Sequence, residues 1–215
     1  MQRLERKRVV ITGMSTINPL GDDLNEYIEN LIAGKSGLRR WESLDVSGIE
    51  NKVGGDLGNY DCAKALTKYA DLLGENHFKK IRKLFRTATF SAKTAVLCSL
   101  GAWRDADLFQ TEYDPYKTGV VVGGHNLNSK YLYDNGVQFR EEPEFIDALS
   151  GIEGIDPCVP GHITEALQVY GPSSTVGGAC ASGNLALRIA YQDILLGECD
   201  RSVVTGALFD MCTAD

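Results

Sequence analysis

The spacing of apolar positions changes several times along the chain, and each change marks an element. Three runs rich in β-branched residues are each closed by glycine: Val9-Val10-Ile11-Thr12-Gly13, Val120-Val121-Val122-Gly123 and Val203-Val204-Thr205-Gly206. Runs of this kind predict strands. The first reads as buried. The second is apolar on both faces, as a covered central strand is. Leu24, Ile28, Leu31 and Ile32 recur at helical spacing, which predicts a helix over 24–33 capped by Asp22 or Asp23 and ended by Gly34. The turn Asn18-Pro19-Leu20-Gly21 precedes it. Ile81, Leu84, Phe85, Ala88, Ala92, Ala95, Val96 and Leu100 form one continuous stripe and predict a single long helix over 78–103. A short helix over 162–170 stops at Gly171-Pro172, a strand runs from Ser173 to Gly178, and a helix over 179–196 ends at Gly197. The apolar residues of that last helix do not keep to one face, which predicts burial nearly all round. Residues 53–57 suggest a short edge strand, 125–135 a loop or weak helix, and 141–156 an acidic surface rich in turns. Strands alternating with helices predict an α/β domain with a mixed, layered sheet.

Composition narrows the function more than the fold. Over 215 residues the chain is 43% hydrophobic and 24% charged, with a formal net charge of -7. Those values are ordinary for a globular domain and argue against a strongly basic nucleic-acid footprint. No apolar stretch approaches the ~20 residues of a membrane span. The run behind the charged first residues is shorter than the ~7–15 of a signal core. The expectation is a cytoplasmic protein with no nucleic-acid or membrane partner. Six cysteines are present, with no Cys-x-x-Cys pair and no histidine beside a cysteine pair. That spacing gives no zinc motif and favours free thiols over a disulfide framework. The glycine clusters at 53–58 and 122–124 lack the dinucleotide fingerprint, so neither a metal nor a cofactor is expected.

The candidate chemistry lies in Gly171-Pro172-Ser173-Ser174-Thr175-Val176-Gly177-Gly178-Ala179-Cys180-Ala181-Ser182-Gly183-Asn184. This is a strand, a tight turn, a cysteine and then a helix. A cysteine at a helix start feels the positive end of the macrodipole, and unpaired N–H groups there stabilise a thiolate. The small neighbours admit a thioester and let N–H groups face a developing oxyanion. The same local pattern also fits a buried structural cysteine beside a turn.

Several further stretches follow in order: Val9-Val10-Ile11-Thr12-Gly13 with Asn18-Pro19-Leu20-Gly21; Leu31-Ile32-Ala33-Gly34-Lys35-Ser36-Gly37-Leu38; Gly119-Val120-Val121-Val122-Gly123; Val159-Pro160-Gly161-His162-Ile163; and Leu196-Gly197-Glu198-Cys199-Asp200-Arg201 into Thr205-Gly206-Ala207. With the cysteine turn, this ordered set resembles the beta-ketoacyl synthases along essentially the whole chain. The resemblance implies an α/β thiolase-like fold, of which this chain would supply the N-terminal half of a layered αβαβα architecture. It implies Cys180 as the nucleophile, with its own N–H as an oxyanion donor, and acyl-carrier protein or coenzyme A thioesters as partners. It also implies a homodimer paired through Ser173 to Gly178. The family's two catalytic histidines, its lysine and the second oxyanion donor belong to a C-terminal half, which could be a separate chain. His77, His125 and His162 match none of its motifs and read as a surface residue, a loop residue and a helix-start residue.

The chain also departs from the family pattern. Gly178 stands where threonine is common, Gly177 where many polyketide members have aspartate, and Asn126 where the acyl-pocket loop usually has an apolar residue. Asn126, Gly178 and Ala181 are therefore the candidate substrate-binding residues beside catalytic Cys180. Three functions compete: a condensing acyltransferase of fatty-acid or polyketide synthesis, a non-catalytic scaffold that docks carrier protein, and a partial reaction such as thioester hydrolysis or decarboxylation.

Overall fold

The computed structural model describes residues 8–212. Helix α1 (Leu24–Ile32) begins where the Asp23 carboxylate accepts hydrogen bonds from the N–H groups of Asn25 and Glu26. It ends before Gly34, whose φ of +67° is the left-handed value a helix stop uses. The turn ahead of it closes through paired backbone hydrogen bonds of 3.0 Å between Asn18 and Gly21. Strands β1 (Leu38–Arg40) and β2 (Val53–Gly55) form a small antiparallel hairpin. The expected edge strand is thus present, together with a partner that its basic sequence did not announce. Asp56, just after β2, is buried and ties the hairpin to its approach. It accepts from the N–H groups of Glu42 and Ser43 and from the Ser43 hydroxyl at 2.7, 3.1 and 2.6 Å. Burial pushes its carboxyl up, but these bonds and one from the Gly58 N–H outweigh that and hold it at about 2.

Helices α2 (Cys62–Leu66), α3 (Ala70–Leu84) and α4 (Phe90–Asp105) follow. The single helix expected over 78–103 is in fact two. Thr89 leaves helical geometry with a ψ of 164° and accepts from the Ala92 N–H, starting α4 afresh. The apolar stripe runs through the break because Phe85 and Ala88 stay buried in the same core.

The main sheet contains β3 (Thr118–Gly123), β4 (Ser173–Val176) and β5 (Arg201–Gly206). Its order is β4-β3-β5 and every pairing is parallel. Alternation along β3 sorts its valines. Val120 and Val122 pack with α4 and with α7 (Cys158–Leu167), while Val121 packs with Ala186 and Ala190 of α8 (Ser182–Leu196). Helices therefore cover both faces, as a parallel sheet requires.

Four further expectations do not hold. Residues 8–13 form no strand, and Val10 and Ile11 are 73% and 71% exposed. Gly13 abuts α4 so closely that a Cβ there would lie 2.4 Å from the Ala102 carbonyl oxygen, and the Met14 N–H donates to Asp105 at 2.8 Å. So anchored, the segment lies across a cavity of about 630 Å³ from β5 and forms no ladder with it. Second, residues 129–141 form a full helix, α5 (Ser129–Glu141), and a short helix α6 (Ser150–Glu153) follows inside the supposed acidic surface. Third, the short helix expected over 162–170 is α7, which starts four residues earlier and ends at Gln168 in the left-handed region. Fourth, α8 buries only Ser182, Ala186 and Ala190, while Leu187, Tyr191 and Leu196 are exposed. One side of α8 meets the sheet and the opposite side does not.

Candidate active site

The register of the sheet brings Gly123, Val176 and Gly206 level at the carboxyl ends of the three strands. The chain leaves β4 there, makes a single 3₁₀ turn over Ala179–Ala181 and enters α8. Ala179 has a φ of +48°, a left-handed conformation that costs a residue with a Cβ about 1 kcal/mol or more. Ser182 braces this elbow. Its hydroxyl accepts from the Gly178 N–H at 2.9 Å and donates to the Ala179 carbonyl at 2.7 Å, and the Ala181 N–H donates to the Gly178 carbonyl. Gly123 lets the start of α8 approach the end of β3, because a Cβ there would lie 2.6 Å from the Ser182 carbonyl oxygen.

Cys180 stands at the tip of the elbow and is the one exposed thiol of the six, none of which is in a disulfide. Exposure removes the reading of Cys180 as a buried structural cysteine. Burial pushes the thiols of Cys62 and Cys98 up to about 11 and about 12. Those two are packing residues.

The other expected site residues gather around the elbow. Ala181 follows Cys180 and is exposed. At Gly178, a Cβ would lie 2.3 Å from Leu185 Cδ1, so Leu185 occupies the space that a side chain at 178 would need. Asn126 sits in the loop after β3 with a φ of +53°, which asparagine tolerates. The Asp156 carboxylate fixes that loop by accepting from the N–H groups of Asn126 and Leu127 at 2.9 and 2.8 Å. His125 is a loop residue, as expected, but it lies against the elbow: a Cβ on Gly177 would meet the His125 Cβ at 3.2 Å and its Nδ1 at 3.7 Å. His77 is half-buried rather than on the surface, with its Nε2 buried and unpaired.

A second cluster escaped the sequence reasoning. His162 does not start a helix; it lies within α7, buried, with its Nε2 2.7 Å from Glu153 Oε2. The Cys158 thiol donates to the Glu153 carbonyl at 3.3 Å. Burial pushes that thiol up to about 12, and the Glu153 carboxylate acts in the same direction. The available signal was Cys158-x-x-x-His162, a spacing that sets two side chains on one helix face.

The chain matches the family described as Beta-ketoacyl synthase, N-terminal domain, over residues 6–214, and it belongs to that family. It is 27% identical over 211 residues to the polyketide biosynthesis malonyl-ACP decarboxylase PksF of Bacillus subtilis (strain 168), covering 98% of this chain and 47% of that protein. It is 25% identical over 209 residues to 3-oxoacyl-acyl-carrier-protein synthase 2 of Staphylococcus aureus (strain COL), covering 94% of this chain and 46% of the relative. The chain thus spans about half the length of the curated relatives it matches. Among solved structures, the ishigamide ketosynthase/chain length factor aligns with a TM-score of 0.68 at 23% identity, over 88% of this chain and 49% of that one. The ketosynthase of AntDE:AntF, a type II complex with its acyl-carrier protein, aligns with a TM-score of 0.69 at 19% identity, over 90% of this chain and 48% of that one. These structures establish the thiolase-like α/β fold. Among the described residues, no helix is long and apolar enough to cross a membrane.

Proposed function

We propose that this chain carries the acyl-accepting part of a condensing-enzyme site, with Cys180 as the nucleophile. The observation that carries this reading is the exposure of Cys180 on a strained elbow between β4 and α8, at the carboxyl end of a parallel sheet. Sites in open α/β sheets lie at that end, and nucleophiles are often held on strained turns. The Cys180 thiolate attacks the carbonyl carbon of an acyl thioester. The carrier thiolate leaves, and the acyl group is held as a new thioester on Cys180. A malonyl thioester then loses carbon dioxide, and its carbanion attacks the acyl carbonyl and expels the Cys180 thiolate. The N–H groups of the elbow face the developing oxyanion. The acyl chain runs past Ala181 and Gly178 toward the Asn126 loop. The histidines and lysine of the second step come from a C-terminal half. The carrier is acyl-carrier protein or coenzyme A, and two copies pair through 173–178, where β4 is an edge strand with exposed residues.

A second reading is favoured by the match to a malonyl-ACP decarboxylase. In that reading the malonyl thioester loses carbon dioxide and the resulting acetyl thioester is not condensed. The polar Asn126, where an apolar residue is usual, suits a short acyl group better than a long apolar one.

Both readings are tested by giving the whole protein, purified from its source, labelled malonyl-carrier protein with and without an acyl-thioester primer. Condensation yields a 3-oxoacyl thioester that requires the primer and is lost in Cys180→Ala. Carbon dioxide release without a 3-oxoacyl product selects decarboxylation. No turnover of either kind, with unchanged carrier-protein binding in Cys180→Ala, selects the scaffold role and sinks both readings.

A further inference from the structure

Beneath the loop that follows β3, side chains of three different ligand chemistries meet. Glu153 ends α6, Cys158 opens α7, and His162 lies one turn further along α7. Glu153 and His162 are 5% and 8% exposed, and Cys158 is partly buried. One carboxylate oxygen, the thiol sulfur and one imidazole nitrogen all lie within 4.8 Å of one another. A buried Glu–His pair alone would be explained as a link between two helices. The Cys158 thiol adds to that link by donating to the Glu153 carbonyl at 3.3 Å, and its sulfur also lies beside the carboxylate and the imidazole, where a link between helices needs no sulfur.

We propose that Glu153, Cys158 and His162 form a binding site for a zinc-type divalent cation that fastens the Asn126 loop beside the Cys180 elbow. Donor chemistry selects the cation. One sulfur, one nitrogen and one oxygen suit a borderline metal such as zinc, whereas magnesium and calcium take oxygen donors. Spacing agrees. Around tetrahedral zinc the ligand atoms lie roughly 3.3–3.8 Å apart, so the cluster needs shifts of under about 1 Å. The Glu153–His162 contact of 2.7 Å opens and the wider contact closes. Cys158 and His162 stand four residues apart on one helix, the spacing at which two side chains of a helix share a metal. Three protein ligands leave a fourth position for water. On binding, the Cys158 S–H bond breaks, a sulfur–metal bond forms and the proton passes to solvent.

The surroundings connect this site to the candidate active site. Asn128 Nδ2 is 3.5 Å from the Cys158 sulfur, and Asn128 Oδ1 accepts from the Thr89 hydroxyl at 2.6 Å. Outer contacts of this kind orient metal ligands. Asp156, between Glu153 and Cys158 in the chain, holds the N–H groups of Asn126 and Leu127, and its carbonyl accepts from Thr175 of β4 at 3.3 Å. A cation at 153–162 therefore stiffens the segment that carries the acyl-pocket loop. Cation binding by Glu153, Cys158 and His162 does not depend on what Cys180 does.

The test uses the Cys180→Ser protein, so that the exposed thiol contributes no ligand. Metal-free protein is titrated with zinc against a chromophoric chelator, then with cobalt(II) while the absorption spectrum is followed. The expected result is one equivalent of zinc bound at roughly micromolar or lower free metal, a melting temperature that rises with zinc, and a thiolate-to-cobalt charge-transfer band. Cys158→Ser should lose the band, and His162→Gln should weaken binding on the order of 100-fold. Absence of stoichiometric binding by the folded protein overturns the proposal, as does binding that both variants retain unchanged. Should the variants fail to fold, the parent protein still decides, because zinc binding without the charge-transfer band excludes Cys158.

Discussion

The two faces of the parallel sheet are finished to different degrees. On one, Val120 and Val122 of β3 are fully buried with Leu100 of α4 and Val159 and Ile163 of α7, and Leu66 of α2 closes the same core. On the other, Val121 is equally buried against Ala186 and Ala190, yet the helix that covers it leaves Leu187, Tyr191 and Leu196 47%, 48% and 70% exposed. Both faces are made by laying a helix on β-branched residues. They differ in what lies beyond the helix: α4 is packed on several sides, whereas α8 is packed on one. The Cys180 elbow opens the helix on the less finished face.

Substitutions on the two faces should separate accordingly. Leu100→Ala on the closed face should lower unfolding free energy by about 2–5 kcal/mol in denaturant titration, because it removes a fully buried side chain and leaves a cavity. A comparable loss at Leu187 would erase the distinction. Asp56→Ala leaves three N–H donors and a hydroxyl without their acceptor and should cost about 2–3 kcal/mol. Its pH dependence is specific. The folded value of about 2 lies below the ordinary carboxyl value of 3.8, so this stabilisation is complete above about pH 5. It is lost as pH falls through 4 toward 2, and melting temperatures across that window should converge for wild type and Asp56→Ala. Gly123→Ala pushes the start of α8 off β3 and should cost about 1–3 kcal/mol. It should also slow acylation of Cys180, which a purely structural elbow would not register. The smallest effect is expected at Leu196→Ser on the open face, under about 0.5 kcal/mol. The same change should reduce self-association in light scattering, because exposed apolar patches drive it.

The sequence announced strands β3, β4 and β5, since β3 and β5 hold β-branched runs ended by glycine and β4 lies between Gly171-Pro172 and Gly177, but their all-parallel pairing replaces the mixed sheet expected. The strand–turn–helix pattern also placed Cys180 in the turn between β4 and α8, where it lies. The sequence misled where the same letters serve two environments. The β-branched run at 9–12 reads alike whether or not a neighbouring edge lies within pairing distance, and here a cavity intervenes. The apolar residues all round α8 read as complete burial, although only the sheet side is covered. Helix α5 was legible only as a loop or weak helix over 125–135, because none of its residues is buried and no core fixes one of its sides. Thr89 divides α3 from α4 through a cap, a local hydrogen bond that leaves the stripe on either side in phase. Of the Glu153–Cys158–His162 cluster, Glu153 lay in an acidic, turn-rich stretch whose composition resembles surface, and the helix that brings Cys158 and His162 onto one face starts before the predicted one.

The most direct test of Cys180 as the acyl acceptor is the intact mass of the protein after incubation with an acyl-carrier-protein thioester, followed by peptide mapping. The expected result is one acyl group added, located on Cys180 and absent from Cys180→Ser. An unmodified mass under conditions in which the protein remains folded, or an acyl group that persists in Cys180→Ser, would contradict it.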